Sequence, residues 1–155
     1  MNLKIIALAW FALVVAMPAA RAAGASPESA PAATYQPDKV VYDVAIDTTE
    51  RFSRLLDRVS YLGSIYADPF TASIVLVLHG PEVRFFANKD RAQYKDLVER
   101  AQGLALGEII QFRMCQVAAK AYGLGPRDLP EFIQLVPMGD AEVVQLQRKG
   151  YAFMK

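Results

Sequence analysis

The chain contains one cysteine and one histidine. A lone thiol cannot close an internal disulfide, so Cys115 acts either as a free sulfur or toward another molecule. It stands in "FRMCQVAAKAYGL", residues 112 to 124, between a β-like apolar run and a helix-like run. The first turn of a helix leaves backbone N–H groups without partners and carries the positive end of the helix dipole. A thiolate placed there is stabilised, and its nucleophilicity is the chemistry such a site offers. No Ser, Thr, Asp or Asn stands immediately before this helix, which leaves the sulfur itself at the capping position. The alternative stands beside it: cysteine is among the most buried residue types and often packs as a small hydrophobe.

His79 closes the run "VLVLHGP", residues 75 to 81. From the end of a strand it could donate a hydrogen bond to a thiolate or shuttle a proton, or merely hold the Gly80-Pro81 turn. Asp47 ends the first apolar run. Asp43 lies inside that run, on the opposite side from Val40, Tyr42, Val44 and Ile46, where a carboxylate needs a partner. Arg84, Lys120 and Arg127 could bring positive charge toward the sulfur or could simply be solvated. One His and one Cys without ligand-spaced partners fall short of the three or four ligands zinc takes, so no metal is expected. "GLGP" at 123 to 126 follows a helix and lacks a third glycine, so no dinucleotide cofactor is expected either.

The elements that position these residues follow from periodicity. "KVVYDVAI" (39–46), "ASIVLVLHG" (72–80), "EIIQFRM" (108–114), "FIQLVP" (132–137) and "YAFM" (151–154) read as strands. After Asp47, a capping candidate with Glu50 three residues on, the stripe Phe52, Leu55, Leu56, Val59, Leu62 and Ile65 predicts a helix that ends before Pro69. Residues 90–106 carry Tyr94, Leu97, Val98, Ala101 and Leu104 at helical spacing. Residues 116–122 form a helix closed by Gly123 and Gly125, and "DAEVVQLQRKG" forms the last one. "EVRFFA" is expected as a short strand or turn. Strands alternating with amphipathic helices predict an α/β fold: a three-layer α/β/α sandwich with a mostly parallel sheet of about five strands. In such a sheet sites form outside the carboxyl ends of the strands, which is where Asp47, His79 and Cys115 fall.

"MNLKIIALAWFALVVAMPAARA" has a positive start, a short apolar core and an Ala-x-Ala ending at Ala22, the three parts of a secretory signal. Residues 1–22 are therefore expected to be cleaved and the protein to be exported to the periplasm. Residues 23–37, rich in Ala, Ser and Pro, read as a flexible linker before a domain at 38–155. Loss of Lys4 and Arg21 leaves 15 of the 17 basic residues against 16 acidic ones. That near-neutral balance gives no electrostatic footprint for nucleic acid or an anionic membrane, and neither is expected as a partner of the mature form. The apolar share of a small domain makes self-association expected.

The order "KVVYDVAI", "VLVLHGPEV", "GEIIQFRMCQVAAKAYGL", "LVPMGDAEVVQLQRKGYAFMK" resembles the DsrE/DsrF/TusD-like family across nearly the whole domain. The resemblance rests on the His-Gly after the second strand, the Cys opening a helix after the third, and the Val-Pro-x-Gly to Gly-Tyr ending. It implies a domain that assembles into homo- or hetero-oligomers, commonly trimers or hexamers. In sulfur-relay members the matching cysteine accepts sulfur as a persulfide, a role that would fall on Cys115 with His79 beside it. The implied partners are a sulfur donor and an acceptor, either a protein thiol or a small sulfane compound. The competing reading is a non-catalytic oligomeric module that binds a small ligand or a protein, with Cys115 structural.

Overall fold

The structure, a computed structural model, describes residues 38–66 and 71–155. The expected leader and linker, and Pro69, lie outside the described residues. No described helix is long and apolar enough to cross a membrane.

Five strands form one sheet: β1 (Lys39–Val44), β2 (Ser73–Leu78), β3 (Ile110–Cys115), β4 (Ile133–Val136) and β5 (Ala152–Met154). Their spatial order is β4-β3-β2-β1-β5, with every pairing parallel. Four helices connect them: α1 (Thr49–Ile65), α2 (Lys95–Ala105), α3 (Gln116–Ala121) and α4 (Gly139–Arg148). The chain steps along the sheet in one direction from β1 to β4, then crosses back past β1 to place β5. Right-handed crossovers put helices on one face during the outward steps and on the other face for the return. Two separate cores show this division. Val40, Tyr42, Val44, Ile74, Leu76, Leu78 and Phe112 pack with residues of α1, α2 and α3. Val41, Val75 and Val77 pack with Val143 and Leu146 of α4. The fold is thus the expected α/β arrangement of a parallel sheet between helices.

The structure corrects several local expectations. "EVRFFA" is neither strand nor simple turn: Pro81–Phe86 forms a 3-10 helix. Phe85 and Phe86 drive it, because they insert into the larger core edge-on to Phe52, at centroid distances of 6.0 and 5.6 Å. Residues 90–94 precede α2 instead of opening it, after a short 3-10 turn at Asn88–Asp90. Asp47 does not cap α1. Thr48 does, its Oγ1 accepting the Arg51 N–H at 3.3 Å, while the Asp47 carboxylate pairs with the Arg51 guanidinium.

The loops after β1 and β2 touch with no space to spare. A methyl group added to Gly80 would lie 2.6 Å from the Ala45 Cα and 2.9 Å from its Cβ, so backbone would have to move. Gly80→Ala should therefore destabilise the domain by about 1–3 kcal/mol, the typical cost of overpacking. Urea unfolding of the variant against the parent checks this, and an unchanged midpoint would contradict the contact.

Candidate functional site

At the carboxyl edge of the sheet, neighbouring strands send their connections to opposite faces between β3 and β4. β3 leads into α3 on the face of the larger core, and β4 leads into α4 on the other. Open parallel sheets form ligand crevices at such reversals. Cys115 lies there, as the last residue of β3 and register partner of Val136. Beside it, β2 pairs Leu78 with Met114, so His79 and Cys115 follow as neighbours one step further along adjacent strands. Asp43 of β1 pairs with Val77, one diagonal step below His79. Strand alternation puts Asp43, His79 and Cys115 on one face, the face covered by α4.

The start of α4 joins two of these side chains. A methyl group on Gly139 would sit 2.9 Å from the His79 Cβ and 3.3 Å from the Cys115 Cβ. Only a residue without a side chain lets the helix begin that close to the strand ends. Cys115 is consequently buried, at 5 % exposure. Its backbone occupies the N-cap position of α3, yet its sulfur makes no capping bond. The expected sulfur cap is not formed because alternation turns the side chain to the α4 face, away from α3.

The structure also assembles a His–Asp pair that the sequence left as two separate candidates. The His79 Nε2–H donates to Asp43 Oδ1, and the two side chains are 25 % and 23 % exposed. The aspartate fixes the ring and leaves Nδ1 as its proton-accepting nitrogen. The His79 backbone N–H donates to the Val44 carbonyl at 3.1 Å, extending the β1–β2 ladder one step. Asp47 stays outside this group, exposed and paired with Arg51. Arg84 donates to the Asp47 carbonyl at 3.0 Å and its guanidinium lies over the Phe85 ring. The Arg127 carbonyl accepts from Asn88, and Lys120 is exposed. Among the described residues, none of these three cations has a contact with the sulfur.

One residue of the site escaped the sequence reading. Glu82 is fully buried, and both its oxygens accept backbone N–H groups: Oε2 from Ile46 at 2.7 Å and Oε1 from Gly80 at 2.8 Å. The carboxylate thereby staples the loop after β1 to the loop after β2, three residues past His79. Burial pushes its pKa above the ordinary value of 4.5, opposed by the backbone N–H groups of Ile46, Gly80 and Glu82 itself and by nearby His79. The only sequence signal is position: the glutamate directly follows Gly80-Pro81, where its carboxylate can reach back to the N–H of Gly80.

On the same face, two residues before Cys115, Arg113 of β3 pairs with Glu142 of α4 and donates to Gln111 Oε1 at 2.9 Å. This anchors the first turns of α4 to the strand that carries Cys115.

A model of the DsrE/DsrF-like family matches residues 59–155. That span includes His79, Glu82, Cys115 and Gly139 and leaves out Asp43. Among solved structures, the protein of unknown function MTH1491 from Methanobacterium thermoautotrophicum is similar. It has a TM-score of 0.60 and 22 % identity over 74 % of this chain and 96 % of that one. At that identity the likeness shows the fold. No curated protein matches the chain.

Because the Glu82 pKa is raised on folding, the folded chain keeps this proton to a higher pH than the unfolded chain. The stability it contributes is present in full below 4.5 and is lost as pH rises through the raised value. Glu82→Gln removes the titration and leaves an amide N–H₂ facing a backbone donor. The variant should be less stable by about 1–3 kcal/mol near pH 4, with the deficit shrinking as pH rises through the raised value. Paired urea titrations across that range test the sign; a deficit that grows with pH would contradict it.

Proposed function

The chain belongs to the DsrE/DsrF-like family, and from that premise we propose that it is a sulfur carrier that holds sulfur as a persulfide on Cys115. The observation that carries the reading is the position of this thiol. It stands at the strand reversal of a parallel sheet, under the start of α4 and next to a histidine oriented by an aspartate. The positive end of the α4 dipole favours an anionic sulfur at that place.

In the loading step His79 takes the thiol proton at Nδ1, and the Cys115 thiolate attacks the outer sulfur of a sulfane donor. A new S–S bond forms at Sγ, the donor's S–S bond breaks, and its electron pair departs with the remaining thiolate or, from thiosulfate, with sulfite. In the unloading step an acceptor thiolate attacks the outer sulfur, takes it as its own persulfide, and restores the Cys115 thiolate. No second cysteine is available to intercept the persulfide within the chain, so the acceptor belongs to another molecule or another subunit. This suits a carrier better than a dithiol oxidoreductase. Periplasmic export through the 1–22 leader, and assembly into a homo-oligomer, are parts of the same proposal. The supports for assembly are the exposed apolar side chains Met138 and Val144 at α4 and Phe153 on the edge strand.

The burial of Cys115 favours a second reading, a binding module in which this cysteine is structural. Intact-mass measurement after incubation with polysulfide separates the two. The carrier gains the mass of about one sulfur atom, Cys115→Ser gains none, and His79→Ala loads on the order of 10²-fold more slowly. A thiol that gains no mass and resists alkylation until the protein unfolds would overturn the carrier and leave the binding module.

Access to the sulfur passes under Gly139. Gly139→Ala should lift the first turn of α4 off His79 and Cys115, costing about 1–3 kcal/mol and raising the alkylation rate of Cys115 in the folded protein. An alkylation rate unchanged by this substitution would show that the turn does not limit access.

A further inference from the structure

A second crevice lies on the opposite side of His79 from Cys115, and the sulfur chemistry makes no use of it. β5 pairs with β1 only from Val40 to Tyr42, so the upper end of β1 loses its neighbour on that side. The resulting notch between β1 and α1 has a volume of about 460 Å³. Tyr42, Val44, Ile46 and Leu55 give it an apolar wall, and the His79–Asp43 pair closes one end.

The opposite wall is cationic. Arg51, Arg54 and Arg58 follow one another at i, i+3 and i+7 along α1, with Leu55 between them, so one edge of the helix presents three guanidinium groups to the cavity. Lys155 adds a fourth cation from beyond β5. Among the described residues, Asp43 gives the one side-chain carboxylate lining the cavity, and it is engaged by His79. Just outside, Asp47 holds Arg51 at 3.1 Å, and Glu50 interacts electrostatically with Arg54. Arg58 stacks on the Tyr42 ring, its guanidinium carbon 5.8 Å from the centroid. Among the described residues, neither Arg54 nor Arg58 has a carboxylate within ion-pair distance. Two guanidinium groups free to fork onto an oxyanion, above an apolar floor in a cavity of ligand size, define a receptor for a small organic anion.

We infer that this crevice binds a small molecule with a carboxylate, sulfonate or phosphate head and a short apolar body. The head sits on Arg54 and Arg58, and the body lies against Tyr42 and Leu55. The inference stands apart from the persulfide chemistry, although His79 borders both sites and would sense an occupant.

Isothermal titration calorimetry at low ionic strength, with benzenesulfonate as the probe, tests it. Benzenesulfonate should bind the parent protein and Cys115→Ser alike, and binding should weaken as salt is added. Arg54→Ala and Arg58→Ala, both at exposed positions, should each weaken it about tenfold while leaving the circular dichroism spectrum and the polysulfide-loading mass gain unchanged. Neutral benzyl alcohol should bind far more weakly than the sulfonate. No heat at millimolar benzenesulfonate, equal binding of the neutral analogue, or indifference to both arginine substitutions would each overturn the inference. None of these outcomes alters whether Cys115 loads sulfur, and a failure of loading leaves the binding measurement intact.

Discussion

The return of the chain from β4 to β5 is the constraint on which the site depends. Crossovers in parallel sheets are right-handed almost without exception. A chain that walks from β1 to β4 and then doubles back must therefore change faces, and its last helix must pass over the carboxyl ends of the strands it returns across. The thiol and the His–Asp pair lie on the face of that passage. Asp43, His79 and Cys115 come from three different strands, yet alternation and register put them on the one face that α4 crosses. Had β5 been added beyond β4, the helix would have joined the other three, and these side chains would have faced solvent.

Two glycines and one buried acid set how tightly the strand ends are held. Gly80 lets the loops after β1 and β2 meet, Glu82 ties the same loops through two backbone N–H groups, and Gly139 seats the helix on the result. Glu82 shows how a single carboxylate can substitute for ladder hydrogen bonds just where strands end and diverge. A buried carboxylate without partners would be costly; here both oxygens are satisfied by groups that would otherwise be orphaned. The 3-10 helix that carries it is itself pinned by Phe85 and Phe86 in the large core, so the position of His79 rests on aromatic packing several residues away.

Much of this architecture is legible in the sequence. The five apolar runs became five strands, and the helical stripe from Phe52 to Val59 became the buried face of α1. The strand ends were overrun because apolar residues such as Ile46 continue past the last ladder bond and pack against the core from loops. Polar pairing was not legible. Asp43 and His79 are 36 residues apart, and only the β1–β2 register brings them together. "EVRFFA" misleads because two adjacent phenylalanines fit a strand by composition, whereas here both face one core from a tight turn. The arginine edge of α1 was not legible: arginines flanking an apolar stripe fit a solvated helix face, and only strand order shows that a cavity lies against them.

The burial of Cys115 bears directly on what its chemistry requires. A thiol 5 % exposed beneath a helix start is protected from adventitious oxidation, but it must be uncovered to react. The attachments of α4 are unevenly distributed along its length. Val143 and Leu146 pack into the small core, Glu142 pairs with Arg113, and the chain beyond is tied through the Tyr151 hydroxyl to Ser73. The first turn has no side-chain cap on Met138 and rests on the glycine contact and on the Glu142–Arg113 pair at its end. Lifting that turn leaves Val143 and Leu146 in the small core and costs the Gly139 seat and the Glu142–Arg113 pair. Local opening of weakly attached segments is the general way in which buried groups meet reagents. In this fold the segment that covers the thiol is a helix start held by one glycine contact and one ion pair.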